Sequence, residues 1–217
     1  MTNNRLPIPK YGIVPAAFYI LAIPLYFITH LIASNLPHHN ASLPLDSSIP
    51  FVASFIWIYV LAYLQWFVGY VALARSDESI CKKYFGGELI AKILCAIIFI
   101  LIPTTMVRPE ICACDASSNL VRWMYTIDSP DNLLPSIHCM ESWLVARGLA
   151  KTNAPKPAKI IMWAFTILVC LSVVFVKQHV VVDIAAGILV AELGLYLGNK
   201  VRIRNLYDSV ENKLGIR

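Results

Sequence analysis

Two polar residues placed four positions apart, His179 and Asp183, are the strongest sign of chemistry in this chain of 217 residues. In a helix this spacing puts both side chains on one face. The carboxylate can then accept a hydrogen bond from one imidazole nitrogen and leave the other nitrogen free to attack. Two interpretations are open, namely a nucleophile with its orienting acid, or a structural pair that closes the start of a helix.

A second stretch, Pro135-Ser136-Ile137-His138, is typical of a helix start with Ser136 as the N-cap. Free backbone N–H groups and the helix dipole make such an end a binding site for anions. His138, in the first turn, is placed to donate a proton to a leaving oxygen as a general acid. The alternative is a capped helix whose histidine has only an interfacial position.

Two cations lie near these stretches. Arg108 precedes Pro109, and Lys177 lies two residues before His179. A guanidinium matches the oxygens of a phosphate group, so we predict that Arg108, Lys177 and the helix start at Ser136 bind phosphate. Each cation has the alternative role of a membrane anchor.

The elements that carry these residues are predicted to be transmembrane helices, because 58% of the residues are hydrophobic and only 14% are charged. A helix needs about 20 apolar residues to cross a bilayer. We predict one all-α domain over residues 1–217, a six-transmembrane-helix bundle with the catalytic residues at the outer ends of its helices. The predicted spans are about 11–32, 51–74, 88–106, 133–149, 158–176 and 180–197.

The weakest span is the fourth, which carries His138, Glu141 and Arg147, but the distribution of charge favours it. Cytoplasmic loops are enriched in Lys and Arg, and with six spans all 18 Lys and Arg residues except Arg108, Arg122 and Lys177 lie on one side. This predicts a multi-pass protein of the cell membrane with both termini in the cytoplasm and the active site on the outer face. The net charge of +5 is then a topology signal and requires no nucleic acid partner.

Other polar residues are given structural roles. Glu192 is predicted to pair with another polar group inside the bundle, and the pair Cys112 and Cys114 is assigned no metal. The histidines of the first outer loop are interpreted as solvated residues and not as metal ligands. We expect no metal and no cofactor.

The three stretches together resemble the type 2 phosphatidate phosphatase (lipid phosphate phosphatase) superfamily, which includes vanadium haloperoxidases and the inositol phosphorylceramide synthase branch. The resemblance extends over about residues 101–187 and lies in Arg108-Pro109, in Pro135-Ser136-Ile137-His138, and in His179 followed by Asp183. It implies that His179 forms a phosphohistidine, that Asp183 orients it, and that His138 protonates the leaving group. It also implies that Arg108 and Ser136 bind the phosphate without a metal.

The chain differs from the superfamily pattern at three positions. Leu101 replaces a lysine, Val173 replaces an arginine, and Ile137 replaces a glycine, so that Lys177 looks like a partial substitute for the missing cations. These differences resemble the inositol phosphorylceramide synthase branch and its bacterial relatives.

Three functions are therefore compared. The leading one is metal-independent hydrolysis of a lipid phosphomonoester or diphosphate. The alternative is a lipid headgroup phosphotransferase, with an acceptor pocket in residues 112–132 that includes Asp115, Asp128 and Asp131. The third is a transporter or a non-catalytic membrane protein, which is disfavoured because the polar groups are expected to gather at one surface and not near the midplane.

Overall fold

The computed structural model describes residues 8–216, which form ten α-helices and two strands of two residues each. A 3₁₀ turn, Ala53–Phe55, leads into α4. The elements are α1 Lys10–Leu21, α2 Pro24–Ala33, β1 His39–Asn40, α3 Pro44–Ser48, α4 Ile56–Ala74, α5 Glu78–Leu101, β2 Thr104–Thr105, α6 Ala116–Ile127, α7 Ile137–Lys151, α8 Lys156–Phe175, α9 Val181–Lys200 and α10 Ile203–Lys213.

Within residues 8–216, five helical stretches are long and apolar enough to cross a membrane, and the predicted count of six is not confirmed. The missing one is α7, whose 15 residues extend about 22 Å, less than the roughly 30 Å of a hydrocarbon layer. Instead, α7 is buried among α4, α5, α8 and α9. The five stretches are Lys10–Ala33, Ala53–Ala74, Glu78–Leu101, Lys156–Phe175 and Val181–Lys200.

Helix α5 starts at Glu78, ten residues before the start of the third predicted span near residue 88. The first turns of α5 are polar, but Lys82 is fully buried and its ammonium lies 2.6 Å from carboxylate oxygens of both Asp208 and Glu211. Both acids belong to α10, a helix that the apolar pattern does not indicate. Pairing with α10 therefore stabilises a part of α5 that hydropathy assigns to a loop.

Helices α5 and α9 pack backbone to backbone. A methyl group on Gly194 would overlap the carbonyl oxygen of Gly87, and small residues of this kind allow close helix contact in membranes. Glu192 is paired, as predicted, because Arg147 of α7 binds its two oxygens at 2.7 and 3.0 Å, but both side chains are partly exposed and not enclosed in the bundle. These contacts hold α9 against α5 and α7.

Loops that are distant in sequence meet at one end of the bundle. β1 pairs in parallel with β2, so that His39 lies beside Thr104. The hydroxyl of Thr104 accepts a hydrogen bond from the Leu134 amide at 2.9 Å. Lys177 in turn reaches α3 and the residue that follows it, donating to the carbonyls of Asp46 at 3.0 Å and Ile49 at 2.6 Å. The loops that carry the three predicted stretches are thus gathered at the same end. Of the basic residues used to predict topology, Arg5 and Arg217 lie outside the described residues.

Candidate active site

His179 lies in the tight connection between α8 and α9, immediately before α9 begins. The amide groups of Gln178 and His179 both donate to the carbonyl of Val173 at 3.0 Å, which fixes this connection. One carboxylate oxygen of Asp183 accepts the Val180 amide at 3.0 Å and lies 3.2 Å from Nδ1 of His179. When Nδ1 carries the proton, Nε2 of His179 has a free lone pair for attack on an electrophile.

His138 lies in the first turn of α7. Ser136 is the N-cap, as predicted, and its hydroxyl accepts the Cys139 amide at 3.4 Å. The His138 ring is stacked on Tyr59 with 4.0 Å between centroids and lies 5.0 Å from the Trp66 ring. Its Nε2 is buried and makes no hydrogen bond within the described part of the chain. Aromatic packing therefore orients an imidazole that keeps one nitrogen available.

The two histidines lie close together because the starts of α7 and α9 are bonded directly. The Ser136 amide donates to the carbonyl of Asp183 at 3.1 Å. A Cβ atom on Gly187 would lie only 2.5 Å from the Ser136 carbonyl oxygen, so glycine is required for this approach. The resulting distance between the ring centroids of His138 and His179 is 6.5 Å.

Arg108 is held beside the histidines by several groups. Its Nη1 donates to the carbonyl of Asp128 at 2.7 Å, its Nη2 donates to Oε1 of Gln178, and the guanidinium lies 4.4 Å from the centre of the Tyr125 ring. Burial lowers the pKa of Arg108 below its usual value, but a guanidinium remains charged at neutral pH. Burial also raises the pKa of Tyr125 to about 12, although Arg108 opposes the shift.

A cavity of about 570 Å³ joins Arg108, His138 and His179. Two predicted phosphate ligands are not part of its wall. The hydroxyl of Ser136 is fully buried as a cap, and the ammonium of Lys177 donates to the carbonyls of Asp46 and Ile49 at 3.0 and 2.6 Å. This geometry does not support a phosphate contact by Lys177.

One residue at the site, Gln178, carries no role in the sequence prediction, and Asp128 was expected only as part of an acceptor pocket. Gln178 lines the cavity, and its Nε2 is buried without a partner among residues 8–216. Asp128 also lines the cavity and accepts hydrogen bonds from the hydroxyls of Tyr26 at 2.6 Å and Tyr59 at 3.4 Å. The position of Gln178 next to His179 was the one available signal. The contacts of Asp128 join residues up to 102 positions apart, which no local pattern records.

Comparison with known proteins gives one match. A family model described as PAP2 superfamily matches residues 33–197. This range includes Arg108, His138, His179 and Asp183. Neither the curated proteins nor the solved structures include a match. Since the matched range covers well over half of the 217 residues, the chain belongs to the PAP2, or type 2 phosphatidic acid phosphatase, superfamily.

Proposed function

We propose that the protein is a membrane-embedded lipid phosphate phosphatase that hydrolyses a lipid phosphomonoester or diphosphate through a phosphohistidine at His179, without a metal. Membership of the PAP2 superfamily supports phosphatase-type activity. The observation that carries the finer proposal is the pair of imidazoles of His138 and His179, 6.5 Å apart, with Arg108 on the wall of the same cavity.

In the first step, Nε2 of His179 attacks phosphorus and the bond from phosphorus to the lipid oxygen breaks. The carboxylate of Asp183 stabilises the positive charge that develops on the His179 ring. Burial lowers the pKa of His138, and the negative charge of the bound phosphate opposes this shift. His138, protonated at this stage, gives its proton to the leaving oxygen, so that a phosphomonoester departs as a neutral alcohol and a diphosphate as the lipid monophosphate. The phosphoryl oxygens face the guanidinium of Arg108 and the free amide N–H of Gln178.

In the second step, water attacks the phosphohistidine and the bond between nitrogen and phosphorus breaks. His138 is now neutral, and it takes the proton from that water. Inorganic phosphate leaves, and both imidazoles return to their initial states. Oriented charges and hydrogen bonds supply the main stabilisation in phosphoryl transfer, and in this site Arg108 and Gln178 would supply them.

The remainder of the cavity is suited to an acyl or prenyl chain. Its wall includes large apolar side chains of α2 and α6 that are also exposed on the outside of the bundle, with 60% of Phe27 and 55% of Trp123 accessible. In a bilayer these side chains would contact lipid, since apolar surface on a spanning bundle faces hydrocarbon. The lipid tail can thus remain in the membrane while its headgroup reaches the histidines.

The test is release of inorganic phosphate by purified protein from a panel of lipid phosphates and diphosphates, with a chelator present. His179→Ala is expected to abolish release, and His138→Ala is expected to slow poor leaving groups more than good ones. His39→Ala is the matched control, because His39 is exposed in β1 and lies outside the cavity. Near wild-type release by His179→Ala, or a strict need for added metal, would contradict the proposal.

Transfer of the headgroup to an alcohol acceptor is the second candidate, and the position of Asp128 favours it. Of the three acids expected in an acceptor pocket, Asp115 caps α6 and Asp131 pairs with His30 at 2.8 Å. Only Asp128 lines the cavity. Phosphate release measured with and without added polyols separates the two functions, because transfer of the phosphoryl group from His179 to a polyol would form a polyol phosphomonoester in place of free phosphate.

A further inference from the structure

A second polar cluster lies inside the bundle, contrary to the expectation that the polar groups gather at one surface. The ammonium of Lys92 lies 2.5 Å from Glu88 and 3.3 Å from Glu141. The hydroxyl of Tyr70 donates to the other oxygen of Glu141 at 2.5 Å. Ionisable residues within a membrane-spanning bundle are costly and are usually functional.

This cluster belongs to the wall of the cavity that contains the histidines. Lys92 and Glu141 both line it, whereas Glu88 is fully buried behind them. Glu141 follows His138 by three residues on α7, which places the two side chains on one face with a rise of about 4.5 Å along the helix axis. A lipid whose phosphorus lies at His138 therefore places its backbone carbons near Glu141.

The cluster contains more acceptors than donors. The ammonium of Lys92 has three N–H groups, and they face Glu88, Glu141 and the ring of Tyr19, whose centre is 4.0 Å away. The two carboxyl groups together offer four oxygens, each with two lone pairs. Glu141 also shares a hydrogen bond with the carboxyl group of Glu88. After this bond and those from Lys92 and Tyr70 are counted, Glu141 still has one acceptor position on the cavity wall.

We propose that Glu141, held in place by Lys92 and Tyr70, binds a hydrogen-bond donor on the lipid backbone next to the phosphate ester. This inference rests on the proposed phosphatase function and specifies its substrate class. The favoured substrate carries a free hydroxyl or an amide N–H about two carbons from the phosphate. Fully esterified glycerol phosphates and polyprenyl phosphates lack such a donor and are poorer substrates.

The experiment uses two lipids that differ by one group, a monoacylglycerol phosphate with a free hydroxyl and the corresponding acyl propanediol phosphate without it. Wild-type protein is expected to show kcat/KM at least tenfold higher for the hydroxyl lipid, because a hydrogen bond to a charged group is lost with the other. Glu141→Gln is expected to reduce this ratio to about threefold or less. Glu192→Gln is the control, since it removes a carboxylate paired between helices outside this cavity, and it should keep the wild-type ratio.

The ratio separates recognition from a purely structural role, which would lower both rates together. Equal rates on both lipids in wild-type protein, or an unchanged ratio in Glu141→Gln, would overturn the inference while leaving the phosphatase function in place. Release from neither lipid would contradict the proposed function itself, and the inference with it. Should Glu141→Gln fail to fold, as judged by thermal unfolding, the wild-type ratio alone decides.

Discussion

Replacing Asp183 by asparagine removes one negative charge beside His179 and changes little else. In the wild-type protein, one carboxylate oxygen of Asp183 both accepts the Val180 amide at 3.0 Å and contacts Nδ1 of His179 at 3.2 Å. The asparagine amide oxygen can occupy that position and accept both hydrogen bonds. The variant therefore tests whether the charge on Asp183 assists catalysis.

The expected magnitude follows from the loss of a charge-assisted hydrogen bond. Hydrogen bonds to charged groups contribute about 1.5–3 kcal/mol, and the positive charge on His179 develops only as its Nε2 attacks. Since about 1.4 kcal/mol corresponds to tenfold in rate, Asp183→Asn should lower kcat by about 10-fold to 150-fold. KM should change little, because the substrate does not contact Asp183 in the ground state.

Asp46 provides a matched control. Its carboxylate accepts the Val181 amide at 2.8 Å and the Leu43 amide at 2.7 Å, so it too binds the start of α9, but it does not contact His179. Phosphate release and thermal unfolding are measured for Asp46→Asn and Asp183→Asn. Both variants should lose similar stability, about 0.5–2 kcal/mol as for other lost caps, and only Asp183→Asn should lose most of its kcat. Equal, small effects on kcat would refute the role of Asp183 in orienting and stabilising His179.

Three further outcomes are expected from the same assays. Gly187→Ala should lower the free energy of unfolding by about 1–3 kcal/mol and reduce phosphate release. The alanine Cβ would lie 2.5 Å from the Ser136 carbonyl oxygen and would separate the starts of α7 and α9. A normal melting temperature and normal activity would argue against close contact between these two helix starts. Arg108→Gln should reduce kcat/KM by about 100-fold or more. Lys177→Met should chiefly lower the melting temperature, since the Lys177 ammonium binds the carbonyls of Asp46 and Ile49. A larger loss of kcat/KM in Lys177→Met than in Arg108→Gln would show that Lys177 and not Arg108 binds the phosphate. Dialysis against a chelator should leave the rate of phosphate release within about twofold of that of the untreated enzyme, because no metal takes part in the proposed mechanism. A loss of activity that is restored by adding a divalent cation would contradict the mechanism.

The parts of the structure that depend on local sequence could be predicted. Helices α4, α8 and α9 are long apolar runs between polar ends, and their bounds lie within a few residues of the predicted spans. Ser136 could be recognised as an N-cap, and His179 could be paired with Asp183, because each contact joins residues three or four positions apart. Such short-range patterns are recorded directly in the order of residues.

The parts that depend on distant contacts could not be predicted. Lys82 and Lys92 have the same hydropathy, yet Lys82 is buried against α10 and Lys92 lies on the wall of the cavity. The direction of Lys177 follows from a left-handed backbone at φ 53° in a tight connection and from the carbonyl of Asp46, 131 positions away in sequence. The prediction of α7 as a span is not confirmed for a related reason, since the charge count recorded its connectivity but not that the helix is short and enclosed by four others.

The most direct test of the proposed mechanism is the identification of the phosphorylated residue. Enzyme mixed with lipid phosphate carrying labelled phosphorus is stopped with alkali within the first turnover, digested and mapped by mass spectrometry. A phosphoryl group on His179 that is stable to base and lost in acid, and that is missing in His179→Ala, is the predicted result. Turnover by the wild-type enzyme with no covalent label, or with the label on a residue other than His179, would contradict it.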